Sequence, residues 1–234
     1  MAAGDEMRAD VRKPRFDRRG CLASLAAGGL LAAMGGRDLR AAALPEDRFF
    51  AIFRKGQQIG THHVTFGAAN HGLVVRHAIR VVVEFASVPI YRFEQRVEDL
   101  WRDGRLVATD AETDDNGERS TVRVRERLGR LVCEGPSGVH DAPLGTMNDL
   151  SYWNVAILRQ RGVIDCQKGE LRPLALEGGE PDTVTLAGRT VAARRWRVNR
   201  EGERGGEVWY DEAGRIVKAV VRTRGEVLDY RLLV

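Results

Sequence analysis

The sequence predicts a mainly β fold from residue 44 onward: a strongly curved antiparallel sheet or incomplete barrel of consecutive hairpins, with one short helix near 149–160. Three observations carry this. Apolar and polar residues alternate with period two along most of the chain, as they do in strands with one face on a core. Turn signals recur between the alternating runs. A single stretch spaces its apolar residues as a helix does. A two-sheet β-sandwich satisfies the same pattern and stands as the alternative.

The elements follow in order. Alternation begins near residue 47, and Lys55-Gly56 marks the first turn. After Asn70-His71-Gly72, the residues Leu73, Val75, His77, Ile79, Val81, Val83 and Phe85 share one parity, with Arg76, Arg80 and Glu84 on the other. Tyr91, Phe93, Val97 and Trp101 then alternate with Arg92, Glu94, Arg96 and Glu98. Asp103-Gly104 and Asn116-Gly117 mark the next turns. Near 149–160, Asp149 suits an N-cap, and Leu150, Trp153 and Ile157 make an apolar helical face. Strands resume over 170–176, 183–186, 189–198, 206–211, 215–222 and 226–233. Between them Gly178-Gly179, Gly205-Gly206, Ala213-Gly214 and Arg224-Gly225 read as turns. No proline-rich or serine-rich linker interrupts the run, so residues 44–234 are expected to form one domain.

Residues 1–43 read as a leader. A polar, Arg-rich stretch precedes an Ala/Gly-rich run from Cys21 to Gly36, and Ala41-Ala42-Ala43 offers a small-residue cleavage site after Ala43. Arg18-Arg19 followed by Leu22 matches the twin-arginine export pattern, with Asp17 and Cys21 departing from it. The expected partner of this segment is the twin-arginine export machinery, and the expected location is the bacterial periplasm. No part of the mature chain is expected to span a membrane.

The 234 residues are 43% hydrophobic, which supports a real core and excludes a disordered or collagenous chain. The formal charge of +4 sits mostly in the leader. Residues 1–43 hold eight Lys/Arg and five Asp/Glu, leaving 29 and 28 for the rest. The mature chain therefore gives no argument for nucleic acid as a partner. Cys133 and Cys166 remain after cleavage, in a compartment that permits a disulfide, and either one bridge or two buried thiols fits them.

Chemistry-bearing clusters are few. If the turn centres on Asn70-His71, Val64 faces His77, and His62 becomes a diagonal neighbour of His77 on the same face. Two such histidines are metal-ligand candidates, needing a third ligand from Glu98 or Asp99. His62 and Glu98 are also the candidate catalytic residues, being the least easily explained as scaffold. The acidic pairs Asp114-Asp115 and Asp110/Glu112 read as solvated turn and strand residues rather than a glycosidase pair. Nucleophile elbows, P-loops and dinucleotide fingerprints are lacking, so no cofactor is evident. Trp101, Trp153, Trp196 and Trp209 fill the core or line a cavity. The stripe Val75, Val81, Phe93 and Trp101 is the candidate ligand-binding wall.

Four stretches carry a resemblance. They are Gly56-Gln57-Gln58-Ile59-Gly60-Thr61-His62, Glu98-Asp99-Leu100-Trp101-Arg102-Asp103-Gly104-Arg105-Leu106, Tyr152-Trp153-Asn154 with Ile164-Asp165, and Trp209-Tyr210-Asp211-Glu212-Ala213-Gly214-Arg215-Ile216-Val217-Lys218. In this order the chain resembles an exported bacterial family known as domain of unknown function 6134. The resemblance implies a β-rich periplasmic domain without an assigned activity, cofactor or catalytic residue.

These readings converge on a non-catalytic binding or carrier domain for an apolar molecule or an envelope partner. An enzyme or metal protein centred on His62 is one alternative, and a structural or assembly protein of the envelope is another.

Overall fold

Every described strand joins one sheet, antiparallel in all but one pair, because most alternating runs are followed by a tight turn that sends the chain back beside itself. The structure, a computed structural model, describes residues 44–70, 72–200 and 205–233. The leader residues Arg18, Arg19 and Leu22, the cleavage site at Ala43, and His71 lie outside the described residues.

The first half comprises β1 (Arg48–Arg54), β2 (Gln57–Ala69), β3 (Gly72–Phe85), β4 (Val88–Arg102), β5 (Arg105–Asp115), β6 (Glu118–Arg127), β7 (Arg130–Gly135) and β8 (Gly138–Pro143). The second comprises β9 (Met147–Asn148), β10 (Gly162–Ile164), β11 (Leu171–Leu186), β12 (Arg189–Arg200), β13 (Gly205–Asp211), β14 (Ile216–Thr223) and β15 (Glu226–Leu233). In space the order runs from β8 back to β1, across to β15, and back again to β9. The β1–β15 pair, with Ile52 opposite Tyr230, therefore joins the two halves. The free edges are β8 and β9, neighbours in the chain. Among the described strand pairs, only β9–β10 is parallel. One continuous, unclosed sheet sets aside the two-sheet sandwich and leaves the incomplete barrel.

Two glycine pairs read as turns are not turns. β11 is a single strand of 16 residues paired with β12 from Leu174 to Leu186, and Gly178-Gly179 make a bulge within it. Both have positive φ, at 118° and 94°, which few other residues tolerate. Gly205-Gly206 open β13, where a Cβ on Gly206 would collide with the Val220 carbonyl of β14. Glycine there permits close backbone approach.

The expected helix at 149–160 is also corrected. The segment forms two 3-10 turns, Ser151–Trp153 and Val155–Arg159, separated by extended Asn154. The Asn154 side chain accepts a hydrogen bond from Ala156 N at 3.0 Å and starts the second turn. Asp149 caps neither, because its Oδ1 accepts from Cys166 N at 3.1 Å. This segment plugs one end of the curved sheet. Ile157 is fully buried, and Trp153 packs edge-on against Trp101 and Phe66, with centroids 5.1 and 5.2 Å away.

Cys133 and Cys166 are free thiols in this structure, buried in one apolar cluster with Val97, Val124, Leu131 and Ile164. Burial pushes the Cys133 thiol up to about 11, which keeps it from acting as a thiolate. Trp209 belongs to a separate cluster with Val184, Ala193 and Val217. Among the described residues, no helix is long and apolar enough to cross a membrane.

Candidate functional site

Above the plug the sheet encloses a cavity of about 500 Å³. Its walls come from inward positions of strands on both sides of the β1–β15 junction. Ile79, Val81 and Val83 of β3 and Phe93 of β4 line one side; Val208, Ala219, Val221 and Leu228 line the other. Leu150, Tyr152 and Trp153 contribute from the plug. The opposite end carries a polar rim. Arg54 pairs with Glu226, Tyr91 Oη donates to Asp115 Oδ1 at 2.8 Å, and Arg224 Nη1 donates to Tyr91 Oη at 3.2 Å. Burial and the Asp115 hydrogen bond push the Tyr91 phenol up to about 12, so it stays a neutral donor. Beyond the rim the β3–β4 hairpin exposes Phe85, Val88 and Ile90, and Ile90 also lines the cavity.

The predicted ligand wall divides by height. Val81 and Phe93 line the cavity. Val75 and Trp101 do not: they are buried in the cluster beneath it, with Met147 and Ile157. The correction has a simple cause. All four share one sheet face, but Val75 and Trp101 sit where the plug fills the interior with side chains.

The β2–β3 register is the one the turn dictates, with Val64 opposite His77 and His62 opposite Ile79. It brings His62 Nε2 to 3.1 Å from His77 Nδ1. His77 Nε2 lies 3.9 Å from Asp99 Oδ2, beyond hydrogen-bond reach. Asp99 Oδ1 accepts from the Thr109 hydroxyl at 2.7 Å, and Asn148 Nδ2 donates to both Asp99 oxygens at 2.8 and 2.9 Å. Asn148 Oδ1 in turn accepts from Leu150 N at 3.1 Å and from Ser151 Oγ at 2.8 Å. A polar chain thus runs from the cavity wall at His62 through the interior to the plug.

Burial governs the charge state along it. It holds His62 down to about 3, with His63 adding repulsion, and it lowers His77 well below the ordinary histidine value too, with His62 adding repulsion. Both rings are neutral at ordinary pH. The same burial pushes Asp99 up to about 7, against the Thr109 and Asn148 hydrogen bonds that favour its carboxylate. His77 and Asp99 are consequently a polar contact rather than an ion pair.

Glu98 takes no part. Its side chain is exposed on the opposite face and accepts from Arg76 Nε at 2.7 Å. The Glu98 assignment fails on parity, since Gln95, Val97 and Asp99 face inward. Asp99, Thr109 and Asn148 are the residues that sequence reasoning missed or left subordinate. The first was legible from the alternation, and Asn148 was not, because only the folded plug brings it to Asp99. Among the described residues, no cluster of three or more His, Cys, Asp or Glu side chains could hold a metal ion, so His62 and His77 have no third ligand. His63 is exposed and packs against Phe49, and His140 Nε2 lies 2.9 Å from the Ser137 carbonyl. Asp110 and Asp114 bond Arg125 and Arg119 on the surface, so these carboxylates make no catalytic pair.

Comparisons with known proteins address the whole chain. The family described as Domain of unknown function (DUF6134) matches residues 50–233. No curated protein matches. A solved structure, "Crystal Structure of Beta-barrel-like Protein of Domain of Unknown Function DUF1849 from Brucella abortus", is similar with a TM-score of 0.57 at 10% identity. The likeness covers 81% of this chain and 96% of that one, and it speaks for the fold alone.

Proposed function

We propose, for a chain that belongs to the DUF6134 family of unknown function, that it is a non-catalytic binding protein carrying an apolar molecule within its curved sheet. One observation carries the reading: a cavity of about 500 Å³ walled by aliphatic and aromatic side chains. Cavities of this size suit a ligand of drug or lipid dimensions. Its plugged floor and polar rim let such a molecule bury its apolar body and keep one end near water. The leader pattern supports export by the twin-arginine route and a site of action in the periplasm, where apolar envelope molecules need a soluble carrier.

The His62–His77–Asp99 alignment favours an enzyme only superficially. His62 Nε2 is engaged by His77 at 3.1 Å. Among the described residues, no serine or cysteine lines the cavity to be activated.

The test is native mass spectrometry of the protein purified from the periplasm, against the same sample denatured. Organic mass released on denaturation is the expected result. Ala219→Phe should abolish it, because the ring would occupy the cavity between Val208 and Tyr230, the cross-strand neighbours of Ala219. Overpacking there costs about 1–3 kcal/mol, leaving a folded protein by circular dichroism. Bound mass unchanged in the folded variant would place the ligand elsewhere.

A further inference from the structure

The cavity has a polar spot on its wall, and its hydrogen-bonding polarity can be read from the chain behind it. His62 lines the cavity between Phe50 and Tyr230, whose rings lie 6.1 Å from its own. Its Nε2 is engaged by His77 at 3.1 Å. Its Nδ1 has no hydrogen-bond partner among the described residues. The Tyr230 hydroxyl, also in the cavity wall, has none either.

One proton must lie between His62 Nε2 and His77 Nδ1, since both rings are neutral and two facing lone pairs would repel. Above about pH 7, where Asp99 is ionised, its carboxylate decides the position. His77 Nε2 faces Asp99 Oδ2 at 3.9 Å in a dry interior, where an N–H is attracted to the carboxylate and a lone pair is repelled. His77 therefore carries its proton on Nε2 and leaves Nδ1 bare. That nitrogen accepts from His62 Nε2–H. His62 Nδ1 is consequently a bare acceptor, presented to the cavity.

We infer that His62 Nδ1 anchors a hydroxyl on an otherwise apolar ligand by accepting its hydrogen bond. The inference rests on the carrier reading above and names the class of molecule carried: a long-chain or polycyclic alcohol rather than a hydrocarbon, ether or ester. Tyr230, beside His62, can donate to the same hydroxyl oxygen. An acceptor-only ligand would leave the His62 lone pair unpaired and meet it with another.

The test uses the folded mature protein at pH 8, where Asp99 is ionised. The neutral fluorophore N-phenyl-1-naphthylamine is bound in the cavity and displaced by 1-decanol or by decyl methyl ether. A net hydrogen bond in the protein interior corresponds to about a five- to tenfold preference. The decanol-to-ether affinity ratio should therefore fall by that factor in His62→Phe. A ratio unchanged in that variant, with both probes still binding, overturns the anchor and leaves the carrier reading standing. Failure of the fluorophore and both ligands to bind the wild type overturns both. Should His62→Phe fail to fold, nitrogen NMR of the wild type decides. A non-protonated His62 Nδ1 that shifts with decanol and not with the ether is the expected result, and a protonated Nδ1 overturns the anchor.

Discussion

Asp99 and the two histidines beside it pull stability in opposite directions as pH changes. Folded Asp99 keeps its proton up to about 7, against the ordinary 3.8 of a solvated carboxyl. Between those values the folded state binds the extra proton, so this group's contribution falls as pH rises through the window. His62 is lowered to about 3 from 6.5; its contribution is present above 6.5 and lost as pH falls. His77, also lowered, acts in the same sense. Asp99→Asn removes only the first of these effects. Urea unfolding from pH 4.5 to 7 should show the variant gaining on the wild type as pH rises, by roughly 3 kcal/mol across the range. A pH-independent difference would mean that Asp99 titrates as an exposed carboxylate does. The His62–His77 contact was legible because a tight turn fixes hairpin register and register fixes diagonal neighbours. Glu98 was chosen over Asp99 as the harder of the two to explain as scaffold, although the alternation that placed Val97 and Trp101 inside also placed Asp99 there.

At the scale of elements, the plug shows what a helical pattern alone leaves open. Leu150, Trp153 and Ile157 share a face in either an α-helix or a pair of 3-10 turns. The distinction is made by Asn154, whose extended backbone and side-chain bond to Ala156 N break the segment in two. Tertiary packing then holds turns too short to be stable alone. Ile157 is fully buried and Val155 is exposed, so the two report separately on that packing. Ile157→Ala should cost about 2–5 kcal/mol in chemical unfolding, while Val155→Ala should stay within about 1 kcal/mol. Equal small losses would mean the plug rests loosely on the sheet. Gly178-Gly179 were misread for a related reason. A glycine pair announces positive φ, but a bulge and a turn use the same dihedrals, and only the β12 partner decides between them.

At the scale of the whole molecule, the sheet is a barrel whose last seam is sewn by side chains and loops instead of a strand pair. The hairpin rhythm made the curved sheet legible, and the pairing of β1 with β15 follows from a meander that comes full circle. The cavity was not legible, because emptiness depends on how high the plug rises, and Val75 and Val81 differ only in that height. At the seam, edges β8 and β9 stay unpaired with each other, and three of the contacts that cross the gap among the described residues bear on its strength. Ser137 N donates to the Lys168 carbonyl at 3.1 Å, and Cys133 packs in one cluster with Cys166. The third joins β4 and β5 to β9, where Asn148 donates to Asp99 while its own oxygen holds Leu150 and Ser151. Removing that amide leaves one Asp99 oxygen and two plug donors without their partner in a buried interior, while Thr109 still holds the other oxygen, at a cost of about 1–3 kcal/mol for each group. The loss falls on the seam first, since β1 and β15 remain fully paired on both sides. Hydrogen exchange of Asn148→Ala should therefore speed up by about tenfold or more in β8, β9 and β10, with β1 and β15 nearly unchanged. Uniform acceleration over all strands would show instead that the seam opens only when the whole sheet unfolds, and that the gap between β8 and β9 is closed as firmly as a strand pair would close it.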